Sequence, residues 1–457
     1  MEKQRERVRP QRVVMVVSPF HGHISPMIHL ATFLHSKGLQ ITIVHPHFNS
    51  PDPSSHPEFT FLAIPDKLSE SGISNWDFEG IAMTLNRNCA APLLNSIEQM
   101  LLQNPDENIV GIIYDTAVCF AQSVADHLKV PGIGVHTSAA ARILAFPVFP
   151  SPHGEGYISL QDYVSDDGLQ DPQSVSTKQL LACLPANPNH SRESVIALIR
   201  EIKKASAIIV NTMDFLEQEA LAVIREHLAV IREHFAPSIF AVGPLHKLAP
   251  TGSASRLKED SSCISWLNRQ APKSVVYVSF GSLATMDEEE LVNMAWGLAN
   301  SEQPFLWVVR PGSVRGSEWI EPLPKTFHER VGERGNIVRW APQKEVLEHS
   351  AVGAFWSHCG WNSTLESISE GVPLLCRPFF GDQMLNSGYI CNVWKVGLEL
   401  EKGKIAEGIR RLMKDKEGME IRKRAMDLKE KTEACLREGG STINSFNEFS
   451  KQILGYN

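Results

Sequence analysis

The alternation of strand and helix patterns predicts an α/β protein with two doubly wound domains. Val13–Ser18 is a continuous apolar run, typical of a parallel strand buried on both faces. A helical pattern follows over Met27–Ser36, with Ser25 and Pro26 as the expected N-cap and N1 residues. The Leu39–Val44 strand then completes a β-α-β unit, which indicates a parallel sheet covered by helices.

The same alternation continues through the first half of the chain and begins again in the second half. Further strands are predicted over 109–114, 132–136, 207–211, 274–279, 304–310, 336–339, 353–357 and 373–377. Between the halves lies a stretch rich in Pro, Gly and Ser, which is typical of a linker. We therefore predict two domains facing an interdomain cleft, with the carboxyl ends of both sheets pointing into it. The predicted parts are a first domain over 1–245, a linker over 246–262, a second domain over 263–440 and a C-terminal helix over 441–457 that packs back on the first domain.

Composition excludes several classes of protein. The net charge of −8 is opposite to that of most nucleic-acid binders. No apolar run approaches the ~18 residues of a spanning helix, so no membrane span is expected. The eight cysteines are scattered without a CxxC pair, which favours reduced core thiols, a cytoplasmic location and no metal site.

The densest cluster of polar and aromatic motifs lies over residues 340–383. A strand-to-helix turn is expected over His358–Ser363, with the helix beginning near Ser363, and free N–H groups there form an anion site. Gly360 allows close backbone approach, His358 adds a donor, and Glu366 lies one turn further along the same helix face. Each element alone is better explained by helix caps and core aromatics. Together they order partners for a base, a ribose, a diphosphate and a sugar around one crevice, which favours a nucleotide-sugar site.

This span resembles the donor-binding signature of plant family-1 UDP-dependent glycosyltransferases. Its WAPQ, HCGWNS, E, GVP and DQ elements are all in place between Trp340 and Gln383. The resemblance extends over nearly the whole chain and is greatest to the subgroup containing steviol-glycoside and benzoxazinoid glucosyltransferases. It implies the GT-B fold, in which two Rossmann-like domains face a cleft. Other matching segments are Gly22-His23, Asp115, Val278–Ser282, Phe305–Arg310 and Gly439–Ser441.

The resemblance also implies a role for each matching residue of the donor site. Trp340 would stack on uracil, with the Ala341 backbone pairing its edge and Gln343 near the ribose. Glu366 would bind the ribose hydroxyls. The remaining implied contacts are His358, Asn362, Ser363 and Ser282 to the diphosphate, Trp361, Asp382 and Gln383 to the sugar, and Thr137 near the sugar and acceptor. A terminal Gln in this signature is typical of members that use glucose.

His23 and Asp115 form the second candidate motif. His23 follows the first strand and Asp115 ends a later strand of the same predicted sheet, so both are expected at its carboxyl edge. An imidazole oriented by a carboxylate can remove a proton from an acceptor hydroxyl. The residues alone support equally well a second interpretation, in which His23 only flanks a helix and Asp115 only caps one. The family resemblance favours catalysis. His21 departs from the family, which commonly has Gln there.

These expectations combine into an inverting transfer of glucose from UDP-glucose to a hydroxyl of a small apolar acceptor. The acceptor would be a phenolic, flavonoid or terpenoid, possibly one already glycosylated. Neither a metal nor another cofactor is expected, and the chain is expected to act as a monomer. The predicted acceptor regions are Trp76–Cys89, Ala139–Phe149 and Leu180–Leu184, although about half of their apolar residues are as well explained as core.

Two other functions compete with this prediction. A dehydrogenase is excluded because no GxGxxG follows the first strand. A binding-only protein that has lost turnover remains open, because the chain carries two unusual features. Leu221–His227 is repeated at once as Leu228–His234, and the connection over 401–404 is shorter than in typical family members.

Overall fold

The computed structural model of the protein describes most of the chain and divides it into two compact units. The described residues are 10–71, 78–144, 149–150, 157–158, 203–230, 238–249 and 257–455. The first unit contains those within 1–140, 187–256 and 438–457, and the second those within 141–186 and 257–437. Parts of the predicted acceptor regions (76–77, 145–148 and 180–184), the middle of the linker (250–256) and the end of the duplicated heptapeptide (231–234) lie outside the described residues.

The described strands form two large sheets and two short two-stranded sheets. They are β1 (Gln11–Val16), β2 (Gln40–Pro46), β3 (Thr60–Ile64), β4 (Asn108–Asp115), β5 (Gly132–His136), β6 (Phe149–Pro150), β7 (Tyr157–Ile158), β8 (Ala207–Val210), β9 (Ser238–Ala241), β10 (Val275–Ser279), β11 (Met286–Asp287), β12 (Phe305–Val308), β13 (Val314–Arg315), β14 (Gly335–Val338), β15 (Val352–Ser357), β16 (Leu374–Cys376) and β17 (Gly397–Glu399).

Helices fill most of the connections between these strands. They are α1 (His21–Ser36), α2 (Leu68–Ser71), α3 (Phe78–Asn88), α4 (Ala90–Gln103), α5 (Phe120–Leu128), α6 (Ala141–Leu144), α7 (Gln218–Val230), α8 (Leu245–Leu248), α9 (Ser262–Leu267), α10 (Glu288–Ser301), α11 (Lys325–Val331), α12 (Gln343–Glu348), α13 (Trp361–Ser369), α14 (Gln383–Gly388), α15 (Ile405–Lys414), α16 (Lys416–Leu436) and α17 (Ser441–Ile453).

The large sheet of each unit is parallel, and its strand order reverses at a single point. The first sheet has the order β3-β2-β1-β4-β5-β8-β9, and the second has the order β14-β12-β10-β15-β16-β17. The order reverses between β1 and β4 in the first sheet and between β10 and β15 in the second. Ligands of doubly wound folds bind beyond the carboxyl ends of the strands at such a point. The predicted α/β class is confirmed. The sheet orders indicate that functional residues lie at the carboxyl ends of β1, β4, β10 and β15.

The central strands are buried on both faces, which explains their uninterrupted apolar sequences. On β10, Val276 and Val278 join one core cluster, whereas Val275 and Tyr277 join the cluster on the opposite face. Successive side chains of a strand point to opposite faces, so a strand between two helical layers needs apolar residues at every position. This burial fixes β10 firmly beneath the loop that follows it.

The first helix begins earlier than the sequence predicts. The prediction of a start at Met27 with Ser25 as N-cap is wrong, because α1 begins at His21 and Pro26 lies inside it. The N–H groups of His23 and Ile24 already donate to the Phe20 carbonyl at 2.8 Å. Pro26 has no N–H to donate to the carbonyl four residues earlier, and its ring crowds that carbonyl, so its position inside α1 costs one backbone hydrogen bond. His23 consequently lies in the first turn of α1 rather than in a preceding loop.

The helix after β15 also begins earlier than predicted. Its first residue is Trp361 rather than Ser363, and Gly360 is the extended N-cap residue. The turn is completed by Cys359 at φ +64°, and the Thr364 N–H donates to the Gly360 carbonyl at 2.9 Å. Trp361, Asn362 and Ser363 therefore occupy the first helical turn, whose backbone N–H groups point toward the N-terminal end of the helix.

The C-terminal helix α17 belongs to the first unit. Phe446 lies 4.5 Å from Phe33 between ring centroids, and Phe449 lies 5.6 Å from Phe240. The Thr442 hydroxyl donates to the Gly243 carbonyl at 2.6 Å. The helix thus completes the core of the first sheet although it follows the second unit in sequence.

Candidate active site

His23 and Asp115 meet at the carboxyl edge of the first sheet. His23 Nδ1 lies 2.7 Å from Asp115 Oδ2, and the Asp115 side chain is fully buried whereas that of His23 is 18% exposed. The other carboxylate oxygen, Oδ1, accepts the Ala117 N–H at 2.8 Å. Both oxygens of Asp115 are therefore engaged, one by the backbone turn after β4 and one by the imidazole.

This arrangement assigns the proton of the imidazole. A carboxylate only accepts hydrogen bonds, so Nδ1 carries the hydrogen that it donates to Asp115, and Nε2 of a neutral His23 is left with a lone pair. An imidazole held in this way can take a proton through Nε2 while the carboxylate stabilises the resulting cation. The predicted proximity of His23 and Asp115 is confirmed, and the helix-capping role of Asp115, the competing interpretation, is present as well.

Thr137 lies within the same group of side chains. Its hydroxyl is 3.0 Å from His23 Nδ1 and donates to Asp115 Oδ2 at 3.4 Å. The residue directly follows β5, the neighbour of β4 in the sheet. The family resemblance implied a position near sugar and acceptor, whereas the structure adds direct contact with the His–Asp pair.

Two buried side chains that the sequence did not single out fix the loop carrying Thr137. His136 Nε2 lies 3.1 Å from the Ala139 carbonyl, and the Ala140 N–H donates to Glu217 Oε2 at 2.9 Å. Glu217 is only 2% exposed, yet in the sequence it looks like an ordinary charged residue at the start of a helix. Its role depends on a contact between distant parts of the chain, so no local pattern reveals it.

Aromatic rings surround the imidazole of His23. Phe78, the first residue of α3, lies 5.2 Å from it between ring centroids, and Phe20 lies 6.2 Å away. The two phenyl rings also contact each other at 4.7 Å. Phe78 falls within the Trp76–Cys89 stretch that the sequence predicts to be an acceptor region, so an apolar ring borders the candidate base.

The second unit places a helix N-terminus, the predicted anion site, at its own point of strand reversal. The first turn of α13 follows β15 and presents the backbone N–H groups of Trp361, Asn362 and Ser363 at the positive end of the helix dipole. Ser282 follows the adjacent strand β10 after Phe280 and Gly281. The predicted diphosphate partners Ser282, Asn362 and Ser363 thus follow two neighbouring strands.

His358 is enclosed between two glycine backbones beside this terminus. A Cβ at Gly360 would lie 2.4 Å from His358 Nε2, and one at Gly281, whose φ is +71°, would lie 2.8 Å from the ring. Burial lowers the pKa of His358 to about 4, and its Nδ1 has no hydrogen-bond partner among the described residues. At neutral pH the ring is therefore uncharged and can serve a ligand as a hydrogen-bond donor without a formal charge.

The depressed pKa of His358 predicts a specific loss of stability in acid. The unfolded chain binds this proton below about pH 6.5 and the folded chain only near pH 4, so the free energy of unfolding falls as the pH drops through that window. The contribution amounts to roughly 3 kcal/mol at most. Urea unfolding measured from pH 7 to pH 4 is expected to show a flatter pH dependence in His358→Gln. Parallel curves for the two proteins would contradict this assignment.

Gln343 joins the residues predicted to lie at the ribose. Its Nε2 donates to Ser363 Oγ at 2.9 Å and to Glu366 Oε2 at 2.6 Å. Its Oε1 accepts a hydrogen bond from the Tyr277 hydroxyl at 3.2 Å. Tyr277 was not predicted as a site residue, since an apolar strand sequence does not show which side-chain tip reaches the site.

The remaining predicted donor residues lie near these groups in sequence but differ in their contacts. Trp340 is partly buried, and its carbonyl accepts the Asp260 N–H at 2.9 Å, while Ala341 is buried beside it. Gln383 is buried, and its Oε1 accepts the N–H groups of Phe379 and Phe380. The carbonyl end of Gln383 therefore shapes its own loop.

Asp382 belongs to the same loop and is tied to the turn before α13. Asn386 donates through Nδ2 to the Cys359 carbonyl at 2.9 Å and to Asp382 Oδ2 at 3.5 Å. The carboxylate of Asp382 acts electrostatically on His358, in opposition to the effect of burial. The loop over 379–383 and the helix terminus are thus one connected structure.

Neither a metal-binding group nor a membrane-spanning helix occurs among the described residues. No three His, Cys, Asp or Glu side chains there are arranged to hold a metal ion. No helix in the described part of the chain is long and apolar enough to cross a bilayer.

Two Rossmann-like units, one with a His–Asp pair and one with a helix N-terminus at the point where its strand order reverses, are typical of group-transfer enzymes of the GT-B fold. Residues 81–418 match the model of the UDP-glucoronosyl and UDP-glucosyl transferase family. The chain belongs to this family and is a UDP-glycosyltransferase.

Known relatives cover nearly the full length. The chain is 46% identical over 427 residues to UDP-glycosyltransferase 76H1 of Stevia rebaudiana, covering 92% of this chain and 98% of that protein. It is 42% identical over 455 residues to the flavonol 3-O-glucosyltransferase UGT76E12 of Arabidopsis thaliana, covering 97% of each. The structure of Phytolacca americana UGT2 complexed with UDP-2fluoro-glucose and pterostilbene is similar, with a TM-score of 0.79 at 26% identity over 97% of this chain and 99% of that one.

Proposed function

We propose that this UDP-glycosyltransferase moves glucose from UDP-glucose to a hydroxyl group of a small apolar acceptor, with inversion at the anomeric carbon. The observation that carries the proposal is the 2.7 Å contact between His23 Nδ1 and buried Asp115 Oδ2. It leaves Nε2 as the atom that accepts a proton.

The reaction is a single displacement. The acceptor oxygen attacks the anomeric carbon as His23 Nε2 takes its proton, and the bond between that carbon and the diphosphate oxygen breaks to release UDP. Asp115 stabilises the imidazolium formed, and the Thr137 hydroxyl supports both groups. One displacement on an α-linked donor gives a β-glucoside.

The leaving diphosphate is assigned to the first turn of α13. The N–H groups of Asn362 and Ser363, with the His358 ring and the Ser282 hydroxyl, would meet the charge that develops on it. Because the helix terminus supplies fixed dipoles, no metal ion is required in this mechanism. Neither a metal nor another cofactor is part of the proposal.

The rest of the donor is assigned around this turn. Trp340 and the Ala341 backbone would hold uracil, and Gln343 with Glu366 would hold the ribose. Trp361, Asp382, Gln383 and Thr137 would contact the sugar. Donor identity rests on Gln383 and on the relative solved with UDP-2fluoro-glucose.

The acceptor is assigned to the apolar surroundings of His23. Phe78 and Phe20 border the imidazole, which suits an aromatic or terpenoid alcohol. Pterostilbene in the Phytolacca protein and the flavonol named for the Arabidopsis relative are consistent with such a molecule. We expect the chain to act as a cytoplasmic monomer.

Release of UDP tests the proposal against a protein that binds without turnover. The purified chain is incubated with UDP-glucose or UDP-galactose and a panel of phenolic and terpenoid alcohols, and UDP is measured. Acceptor-dependent release that is faster with UDP-glucose is expected. Tight binding of UDP without any acceptor-dependent release would identify a binding-only protein, and a preference for UDP-galactose would overturn the glucose assignment.

A further inference from the structure

We propose that Tyr277 is a positioning residue for the ribose end of the donor site, holding Gln343 so that Gln343 in turn holds Glu366. This inference rests on the proposed function, because it takes Glu366 as the partner of the ribose hydroxyls. It adds a side chain from the middle of the sheet, outside the donor-binding span of residues 340–383.

The contacts form a continuous path from the core to the site. Tyr277 is 1% exposed on β10, and its ring stacks on Phe355 of β15 with centroids 4.9 Å apart. Its hydroxyl donates to Gln343 Oε1 at 3.2 Å, at the first residue of α12. Gln343 Nε2 then donates to Glu366 Oε2 at 2.6 Å.

The chemistry of each group fixes its orientation. Glu366, when ionised, only accepts hydrogen bonds, so the NH₂ end of Gln343 must face it, which turns Oε1 toward the sheet. Tyr277 meets that oxygen with a hydroxyl donor. Burial raises the pKa of the Tyr277 phenol above its usual range, so the group keeps its proton at neutral pH.

The hydroxyl is not required for packing the ring. The stacking on Phe355 and the surrounding apolar cluster hold the aromatic body of Tyr277, and a phenylalanine would retain those contacts. Loss of the hydroxyl leaves Gln343 Oε1 without this donor, so the amide is held only through Nε2, by Ser363 and Glu366, and its orientation toward Glu366 is less firmly fixed. The consequence is expected in nucleotide binding.

The test compares UDP with 2′-deoxy-UDP by calorimetric titration of the full chain and of Tyr277→Phe. In the variant the Kd for UDP is expected to rise about tenfold, which corresponds to about 1.4 kcal/mol. The Kd for 2′-deoxy-UDP is expected to rise less, because that ligand lacks one hydroxyl that Glu366 would bind. The Kd for 2′-deoxy-UDP divided by the Kd for UDP should therefore be smaller in the variant than in the wild type.

Tyr114→Phe is the matched control. Tyr114 is also fully buried, and its hydroxyl likewise donates to a glutamine Oε1, that of Gln122, at 2.9 Å. Both variants are expected to lose similar thermal stability, whereas only Tyr277→Phe should change the Kd values.

The outcomes separate this inference from the proposed function. A wild-type chain that does not bind UDP, or binds both nucleotides equally, would refute the donor assignment itself. A wild type that prefers UDP, with the same Kd values in Tyr277→Phe, would overturn only the role of Tyr277. An equal loss of UDP binding in Tyr114→Phe would also overturn it, since a general loss of packing would then explain the effect.

Discussion

Replacing His23 by alanine is expected to lower kcat by about 10²–10⁴-fold, which is the usual contribution of general-base catalysis. The Nδ1 of His23 is committed to Asp115 and its Nε2 is the atom assigned to the acceptor proton. UDP binding should be unchanged, because the residues proposed to hold the diphosphate and the ribose all belong to the second unit. Steady-state kinetics with a saturating acceptor, together with UDP titration, measure both quantities.

His21→Ala is the control for this variant. His21 is the first residue of α1, two positions from His23, and it takes no part in the proposed proton transfer. Its replacement should leave most of kcat intact. If His23→Ala retained full turnover, or if His21→Ala lost as much activity, His23 would not be the base.

Replacing Asp115 by asparagine is the second change with a large expected effect. The new side chain keeps an oxygen for the Ala117 N–H, so the turn after β4 is preserved and the NH₂ group is placed at His23. An NH₂ donor at Nδ1 forces the hydrogen onto Nε2, and the ring can no longer take a proton there. We expect a loss in kcat of about 10²–10⁴-fold with little change in thermal stability.

The measurement for Asp115→Asn combines kcat, UDP affinity and thermal unfolding. A large fall in kcat at constant UDP Kd and constant Tm supports the tautomer argument. Full activity would show that the carboxylate is only a helix cap, which is the competing interpretation of the sequence. A collapse in Tm would indicate that the fold cannot accept the amide, and Asp115→Ala with added imidazole would then be compared with His23→Ala plus imidazole. If imidazole restores activity to His23→Ala but not to Asp115→Ala, the result supports a base that needs the carboxylate of Asp115.

Much of the fold follows from the sequence because β10, β15 and their neighbours are buried on both faces. Such strands need apolar residues at every position, and the pattern is visible without any structure. The residues at which helices begin are harder to predict from the sequence. Pro26 and Ser25 look like a helix start, yet the backbone turn at Phe20 begins α1 before them. Local preferences at a helix end are worth about 1 kcal/mol and are overridden by the packing of the whole helix.

The candidate site was partly predictable for a similar reason. His23 follows β1 and Asp115 ends β4, so their positions along the chain predict that both lie at the carboxyl edge of the sheet; the pairing of β1 with β4 then brings them together. Tyr277 and Glu217 have no such pattern. Each is one buried side chain whose polar tip contacts a residue from a distant element, and only the assembled core shows which tip reaches the site.

The anomeric configuration of the product tests the central claim most directly. The chain is incubated with UDP-α-glucose and an acceptor that supports UDP release, and the product is analysed by proton NMR before any equilibration. A β-glucoside, recognised by the large diaxial coupling of its anomeric proton, is the result predicted by one displacement with His23 as base. An α-glucoside would require retention of configuration and would contradict the proposed mechanism.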